Sequence, residues 1–276
     1  MYIRPGNAQH IGSRSSQQDA FGFGDPEREK EVQEIGLIAV LADGMGGHAF
    51  GDEASRLAVK TCLERYAALA RETTIDQALD KLIQLADASV SAFALNQGEA
   101  GNVGTTLSTL VVHSNELYWR SVGDSRIYLW RDPYLCPITR DHVYAFDLDE
   151  EARQGSISLD AALNHPQREA ITSYVGQNPP NLVDKNRRPF RLLAGDQLLL
   201  CSDGLFKSLP DDGIVACLRQ SISPQEAAEA LVHMALAQNL TYQDNVTVMI
   251  LECDSGQATK STHARKKTLF SRICKM

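Results

Sequence analysis

The feature that most constrains the fold of this chain is a short apolar run at residues 38–42 that ends abruptly at Asp43 and Gly44. The run is too short for a free-standing helix, so the pattern predicts a buried strand that delivers a carboxylate to the edge of a sheet. The glycines that follow allow a sharp backbone turn and leave carbonyl groups accessible to a ligand. An Asp-Gly pair after a strand is usually only a turn, so its meaning depends on whether the arrangement recurs.

The arrangement returns at three other aspartates. Asp203 follows an apolar strand predicted at residues 197–201, Asp124 lies at a strand turn, and Asp244 comes just before a strand predicted at residues 246–251. If these strands are neighbours, the four carboxylates converge at one end of a sheet. Bare carboxylates placed so close together repel one another, and a divalent cation removes the conflict.

The chemistry of these side chains favours a hard cation. Their ligand atoms are all oxygens, with no convergent His or Cys, and this selects Mg²⁺ or Mn²⁺ over zinc. Two such ions would make hydroxide available from a shared water at neutral pH, which predicts hydrolysis of a phosphate ester. Arg14, just upstream of Asp19, is the candidate for binding the phosphoryl oxygens, because a guanidinium binds two oxygens at once. The alternative for Arg14 is a solvated surface charge.

The net charge of −8 is unevenly distributed along the 276 residues. Residues 254–276 carry six Lys or Arg and one Asp, so residues 1–253 hold a net charge of −13. A body this acidic is a poor nucleic-acid binder. No apolar run approaches the roughly 20 residues that span a bilayer, and the N terminus lacks the pattern of a secretory signal. We therefore expect a cytoplasmic protein whose six scattered cysteines are ordinary buried thiols.

Hydrophobic periodicity places the other elements around these aspartates. It predicts a first strand pair within residues 2–24, a charged surface turn at 25–34, a helix from Asp52, and a second helix capped at Thr74. Three strands connected by short loops, and therefore antiparallel, follow at 105–113, 116–122 and 125–130. After an irregular stretch at 143–189 come a strand at 190–193, helices from Asp211 and Ser223, and the last strand.

Seven short motifs, taken in order, resemble the metal-dependent type 2C serine/threonine phosphatases in their bacterial form. Each motif alone is weak, but together they occur in the order of that family and span residues 12–251, nearly the whole chain. They are Arg14 with Gln18-Asp19, Ala42-Asp43-Gly44-Met45-Gly46-Gly47-His48, Gly104-Thr105-Thr106, Val122-Gly123-Asp124-Ser125-Arg126, Thr139-Arg140-Asp141-His142, Ser202-Asp203-Gly204 and Asp244-Asn245.

The resemblance implies an α+β fold, a four-layer α/β/β/α sandwich of two antiparallel sheets flanked by helix pairs, with a dinuclear Mn²⁺ or Mg²⁺ centre at one end. It also implies the role of each matching residue. Asp43 would bridge the two ions, the Gly44 carbonyl would bind one of them, and Asp203 and Asp244 would hold the other. Asp19 would orient metal-bound water, and Arg14 would hold the substrate phosphate. Asp124 with Asp203 would form a looser site for a third ion.

The same resemblance implies the organisation and partners of the chain. Residues 1–253 would be the catalytic domain, with 143–189 as the flap beside the site, and residues 254–276 a basic, disordered tail. The substrates would be proteins phosphorylated on Ser or Thr, hydrolysed by direct attack of metal-bound hydroxide, and the enzyme would oppose a serine/threonine kinase of the same cell. We expect a monomer.

Two departures and two alternatives remain open at this stage. Gln18 replaces an acid found in eukaryotic members, a change that bacterial members accept. Met45 stands where eukaryotic relatives carry a histidine proposed as general acid, so the proton for the leaving group must come from elsewhere. His48 could serve as the general acid, but a structural or loop role is favoured for it, and a structural role for His142.

A serine hydrolase at Gly123-Asp124-Ser125 would need a histidine partner, and no histidine has an aspartate three residues before it. A pseudophosphatase would be expected to lose metal ligands, yet every matching aspartate is present.

Overall fold

The structure is a computed structural model that describes residues 2–45 and 50–254. The predictions for Gly46, Gly47 and His48 lie outside the described residues. The predicted basic tail does too, except for Asp254, which is the last residue of the final strand and lies one residue past the predicted domain boundary.

The described residues form the following elements. The strands are β1 (Tyr2–His10), β2 (Asp19–Phe23), β3 (Leu37–Met45), β4 (Gly104–Thr105), β5 (Leu107–His113), β6 (Glu116–Val122), β7 (Arg126–Arg131), β8 (Tyr134–Pro137), β9 (Asp184–Lys185), β10 (Phe190–Arg191), β11 (Gln197–Cys201) and β12 (Val246–Asp254). The helices are α1 (Glu29–Ile35), α2 (Gly51–Glu72), α3 (Ile75–Asn96), α4 (Ala145–Arg153), α5 (Leu159–Leu163), α6 (Asp203–Phe206), α7 (Asp211–Gln220) and α8 (Pro224–Leu236).

The strands form two sheets in which neighbours pair antiparallel. We call the sheet with the order β1-β12-β11-β7-β8 the first sheet, and the sheet with the order β10-β6-β5-β3-β2 the second sheet. The short strands β4 and β9 pair with β3 and β6 respectively, beside the second sheet.

Three apolar layers hold the sheets and helices together. One lies between the second sheet and α2 and α3, one between the two sheets, and one between the first sheet and α6, α7 and α8. Strand β3 shows why its sequence is continuously apolar: Ile38, Val40 and Ala42 face the helices, while Leu37, Ala39 and Leu41 face the other sheet. In a strand that is buried on both faces, apolar residues do not alternate with polar ones, because neither face meets solvent. The predicted α/β/β/α sandwich is confirmed.

The predicted helix starts are also confirmed. Thr74 and Gln77 form the two reciprocal hydrogen bonds of a capping box at α3, and the Ser223 hydroxyl accepts from the Glu226 N–H at α8. The surface turn predicted at residues 25–34 is wrong in its second half, because α1 begins at Glu29. This helix is seven residues long, too short to display an apolar period, and it is held by its buried last residue, Ile35.

Two predicted strand pairings are wrong. Strands β1 and β2 do not pair with each other: β1 pairs with β12 in the first sheet and β2 with β3 in the second. Likewise β6 pairs with β5, but β7 crosses to the first sheet, where it pairs with β11 and β8. A short loop permits a hairpin without requiring one, because each strand is as well paired across another neighbour.

The stretch predicted as irregular at residues 143–189 contains two short helices, α4 and α5, and β9. This stretch is hydrogen-bonded to the rest of the structure: the Asp87 carboxylate on α3, for example, accepts from the Gly176 N–H at 2.7 Å.

No helix in the described part of the chain is long and apolar enough to cross a membrane. The five cysteines that fall in the described residues are buried, as predicted.

Candidate active site

Five aspartates meet at the same end of the two sheets. Asp19 is the first residue of β2 and lies opposite Asp43 of β3 in the antiparallel register. The others come from the first sheet or its approaches: Asp203 directly after β11, Asp244 directly before β12, and Asp124 in the crossing from β6 to β7. Burial raises the pKa of Asp43 well above its usual range, and the charges of the other four aspartates raise it further.

Asp19 is buried against hydroxyl groups of the first sheet. Its Oδ2 accepts from Ser202 Oγ at 2.7 Å and from Thr247 Oγ1 at 2.6 Å. Its Oδ1 is buried without a hydrogen-bond partner among the residues that the structure describes. Burial raises the pKa of Asp19 to about 6, although the two hydroxyl donors oppose the rise. One oxygen is therefore fixed, and the other is left to accept from a ligand or a water.

The backbone on both sides of Asp43 is held by the Gly104-Thr105-Thr106 motif. The Asp43 N–H donates to Thr106 Oγ1 at 2.9 Å, and its carbonyl accepts from the Thr106 N–H at 2.8 Å and the Thr105 hydroxyl at 2.9 Å. The N–H of Gly44 donates to the Gln18 carbonyl at 3.0 Å. These bonds give both threonines of the motif a role in fixing the backbone of Asp43. Met45, the last residue of β3, pairs with Gly104 and is partly exposed.

Asp124 is reached through a glycine with a left-handed backbone. Gly123 has φ +98°, and a Cβ there would lie 2.6 Å from Thr106 Cγ2, so no other residue fits this crossing. The ring Nδ1 of the buried His142 accepts from the Gly123 N–H, and the backbone N–H of His142 donates to the Gly123 carbonyl. Burial lowers the pKa of His142, which keeps that nitrogen an acceptor. Burial and the Asp203 charge raise the pKa of Asp124 to about 7.

Two cations lie against the cluster. Arg14 donates from Nε and one terminal nitrogen to the two oxygens of Asp244, at 2.8 and 2.6 Å. Lys207 Nζ lies 2.6 Å from Asp203 Oδ2, one helical turn along α6. The other oxygen of Asp203, Oδ1, is buried and makes no hydrogen bond within the described residues.

The donor set fits a hard divalent cation. It consists of carboxylate oxygens, two of which are buried and have no hydrogen-bond partner among the described residues. Burial, and then repulsion by the other aspartates, raise the pKa of Asp43. Within residues 2–45 and 50–254, however, no three acidic, His or Cys side chains already adopt a ligand geometry together. Asp203 and Asp244 are paired instead with Lys207 and Arg14, whose positive charges meet part of the same electrostatic demand.

Sequence reasoning did not assign a role to several residues that shape this site. Ser202 and Thr247 donate to Asp19. The Asn245 side chain orders the loop that precedes Asp19, because it donates to the Ile11 and Ser16 carbonyls and accepts from the Gln18 N–H. A signal existed for Ser202 and Asn245, which lie inside quoted motifs. None existed for Thr247, which reads as one more β-branched residue of a strand.

Comparison with known proteins places this architecture in a family. Residues 7–241 match the family model described as Protein phosphatase 2C. Serine/threonine phosphatase stp of Listeria monocytogenes is 33% identical over 223 residues, which cover 80% of this chain and 86% of that protein. Serine/threonine protein phosphatase PstP of Mycobacterium tuberculosis is 34% identical over 83% of this chain and 43% of its own length.

Solved structures agree with the sequence relatives. The crystal structure of M. tuberculosis PstP superposes with a TM-score of 0.73 at 28% identity, covering 92% of this chain and 100% of that one. The catalytic domain of PstP in complex with two manganese ions gives a TM-score of 0.68 at 27% identity, covering 91% and 97%. The chain belongs to the protein phosphatase 2C family.

Proposed function

We propose that this chain is a metal-dependent phosphatase that hydrolyses phosphoserine and phosphothreonine in proteins. The observation that carries the proposal is the group of five aspartates from both sheets, in a chain of the 2C family. Within the described residues, one oxygen each of Asp19 and Asp203 is buried without a hydrogen-bond partner. Relatives named serine/threonine phosphatases, and the PstP structure with two manganese ions, support the same reading.

The residues that would hold two ions are Asp43 as the bridge, the Gly44 carbonyl and Asp43 on one side, and Asp203 and Asp244 on the other. The oxygen donors favour Mn²⁺ or Mg²⁺ over softer metals. The chemistry such a pair supplies when bound is polarisation of the phosphoryl oxygens and a water that loses its proton near neutral pH.

The side chains around these ligands bind and orient. Asp19, fixed through Oδ2 by Ser202 and Thr247, would accept a hydrogen bond from the attacking water at Oδ1, which has no partner in residues 2–45 and 50–254. Arg14 would bind two phosphoryl oxygens with the same fork that it places on the Asp244 carboxylate. Its side chain is 56% exposed, so a substrate can reach it from solvent.

We further propose the organisation and setting that the resemblance implies. Residues 1–253 form the catalytic domain, 143–189 the flap beside the site, and 254–276 a basic extension that small substrates do not require. The enzyme acts as a cytoplasmic monomer and opposes a serine/threonine kinase. The charge of −13 over residues 1–253 favours phosphosites with basic neighbours.

The test is hydrolysis of p-nitrophenyl phosphate and of a phosphothreonine peptide by the purified protein with Mn²⁺, Mg²⁺ or EDTA. We expect turnover with a metal, none with EDTA, and a loss of about 100-fold or more in Asp203→Asn. The exposed Asp212→Asn, on α7, is the matched control and should retain full turnover. A folded protein that turns over neither substrate under any metal, yet retains phosphopeptides, would establish the pseudophosphatase alternative instead.

A further inference from the structure

Lys207 occupies an unusual place for a lysine, directly beside an aspartate of the proposed metal centre. It follows α6, and its Nζ lies 2.6 Å from Asp203 Oδ2. The Lys207 side chain is 44% exposed and the Asp203 side chain 14%, so the contact joins a largely buried carboxylate to an ammonium group that solvent reaches.

The ammonium charge also acts on Asp124. Burial and Asp203 raise the pKa of Asp124, and Lys207 is the cation that opposes this rise. Lysine is protonated at neutral pH without any shift of its pKa, so the group that contacts Asp203 is a full positive charge. One positive charge therefore serves the two carboxylates to which the family resemblance assigns a third metal ion.

The two oxygens of Asp203 are divided between different partners. Oδ2 accepts from Lys207, and Oδ1 is buried and unpartnered among the residues that the structure describes. Oδ1 is thus available to the dinuclear centre while Oδ2 is already occupied. A divalent ion at the Asp124–Asp203 pair would have to remove a charge-assisted hydrogen bond and would be repelled by the ammonium.

We propose that the Lys207 ammonium is a built-in cation that takes the place of the third metal ion at Asp124 and Asp203, so that this chain binds two divalent ions and no third. The proposal rests on the proposed function, because it presupposes the two ions at Asp43, Asp203 and Asp244. It gives the site a permanent positive charge that does not depend on the free metal concentration.

The test counts bound ions rather than activity. Equilibrium dialysis against Mn²⁺, with the metal quantified in each compartment, gives the stoichiometry of the wild type, Lys207→Met and Lys207→Arg. Lys60→Met is the matched control, since Lys60 also pairs with an acid four residues away, Glu64 at 3.9 Å, on the exposed face of α2. Circular dichroism verifies that each variant is folded.

We expect two ions in the wild type, in Lys60→Met and in Lys207→Arg, which keeps the charge. Lys207→Met should bind a third ion at least about tenfold more tightly than any further binding by the wild type, and adding Asp124→Asn should abolish that gain. Three ions in the wild type, or two in Lys207→Met, would overturn the role of Lys207 and leave the dinuclear phosphatase standing. No bound ion in the folded wild type would overturn both proposals.

Discussion

Asp19 is buried, and its carboxyl depends on two hydroxyl groups from the opposite sheet, Ser202 and Thr247. Thr247 also accepts from the Gln9 side chain at 2.9 Å. The hydroxyl of Thr247 therefore donates to the buried Asp19 carboxylate and also accepts from the side chain of the exposed Gln9. A buried carboxylate that loses one of its donors bears the desolvation cost without compensation.

At this scale we predict the effect of Thr247→Val, which keeps the shape and removes the hydroxyl. The free energy of unfolding should fall by about 1–3 kcal/mol, because Asp19 and Gln9 both lose a partner. Urea unfolding in EDTA measures this without interference from metals. Thr109→Val is the control: Thr109 is buried, and its hydroxyl has no hydrogen-bond partner within residues 2–45 and 50–254. Equal losses in the two variants would refute the role given to Thr247.

Among the elements, α6 and α7 place very different demands on their glycines. Gly204, in α6, packs so close to β12 that a Cβ would lie 2.0 Å from the Asn245 carbonyl oxygen. Gly213, in α7, has its nearest neighbour 3.8 Å from the same position, an ordinary contact. The short helix α6 is therefore in close contact with the chain at Asn245, just before β12, while Gly213 of α7 has room for a methyl group.

We predict that Gly213→Ala stabilises the protein by about 0.5–1 kcal/mol, because alanine loses less backbone entropy in a helix. Gly204→Ala should destabilise it by about 1–3 kcal/mol, since the backbone of β12 cannot move aside without disturbing the core. Thermal unfolding of the two variants beside the wild type measures both signs. Destabilisation by Gly213→Ala, or tolerance of Gly204→Ala, would contradict this account of how the helices pack.

For the whole molecule, the site is a concentration of negative charge at one end of a sandwich whose remaining layers are apolar. Folding brings together five carboxylates that the unfolded chain keeps apart. The metal-free protein therefore pays an electrostatic cost, which Arg14 and Lys207 offset in part. A ligand that binds only the folded cluster must stabilise the entire fold.

We accordingly predict that Mn²⁺ raises the Tm. At a free concentration 100 times its Kd, each site adds about 2.7 kcal/mol, which is roughly 5–10 °C for a chain of this size. Differential scanning calorimetry in EDTA and in Mn²⁺ measures the shift. Asp212→Asn should keep the shift and Asp244→Asn should lose most of it. A shift that survives in Asp244→Asn would show that the ions stabilise the protein elsewhere.

The sequence by itself determined the long helices, the buried strands and the identity of the candidate site residues, but not the short elements such as α1. Continuous apolar runs identified β3, β11 and β12, because strands buried on both faces need no polar side. Capping residues located the starts of α3 and α8, because their hydrogen bonds are made within one turn of the chain. The repeated aspartates at strand ends, and the order of the motifs, singled out Asp43, Asp124, Asp203 and Asp244 before any contact was known.

Only the tertiary structure decided which strands are neighbours and what surrounds each aspartate. An alternating or continuous apolar pattern defines the faces of a strand but not its partner, since backbone groups pair equally well with any strand. For that reason β1 and β2, and β6 and β7, divide between two sheets. Thr247 reaches Asp19 across 228 residues of sequence. The charge of Lys207 acts on both Asp203 and Asp124 because long-range packing brings both aspartates within range of it.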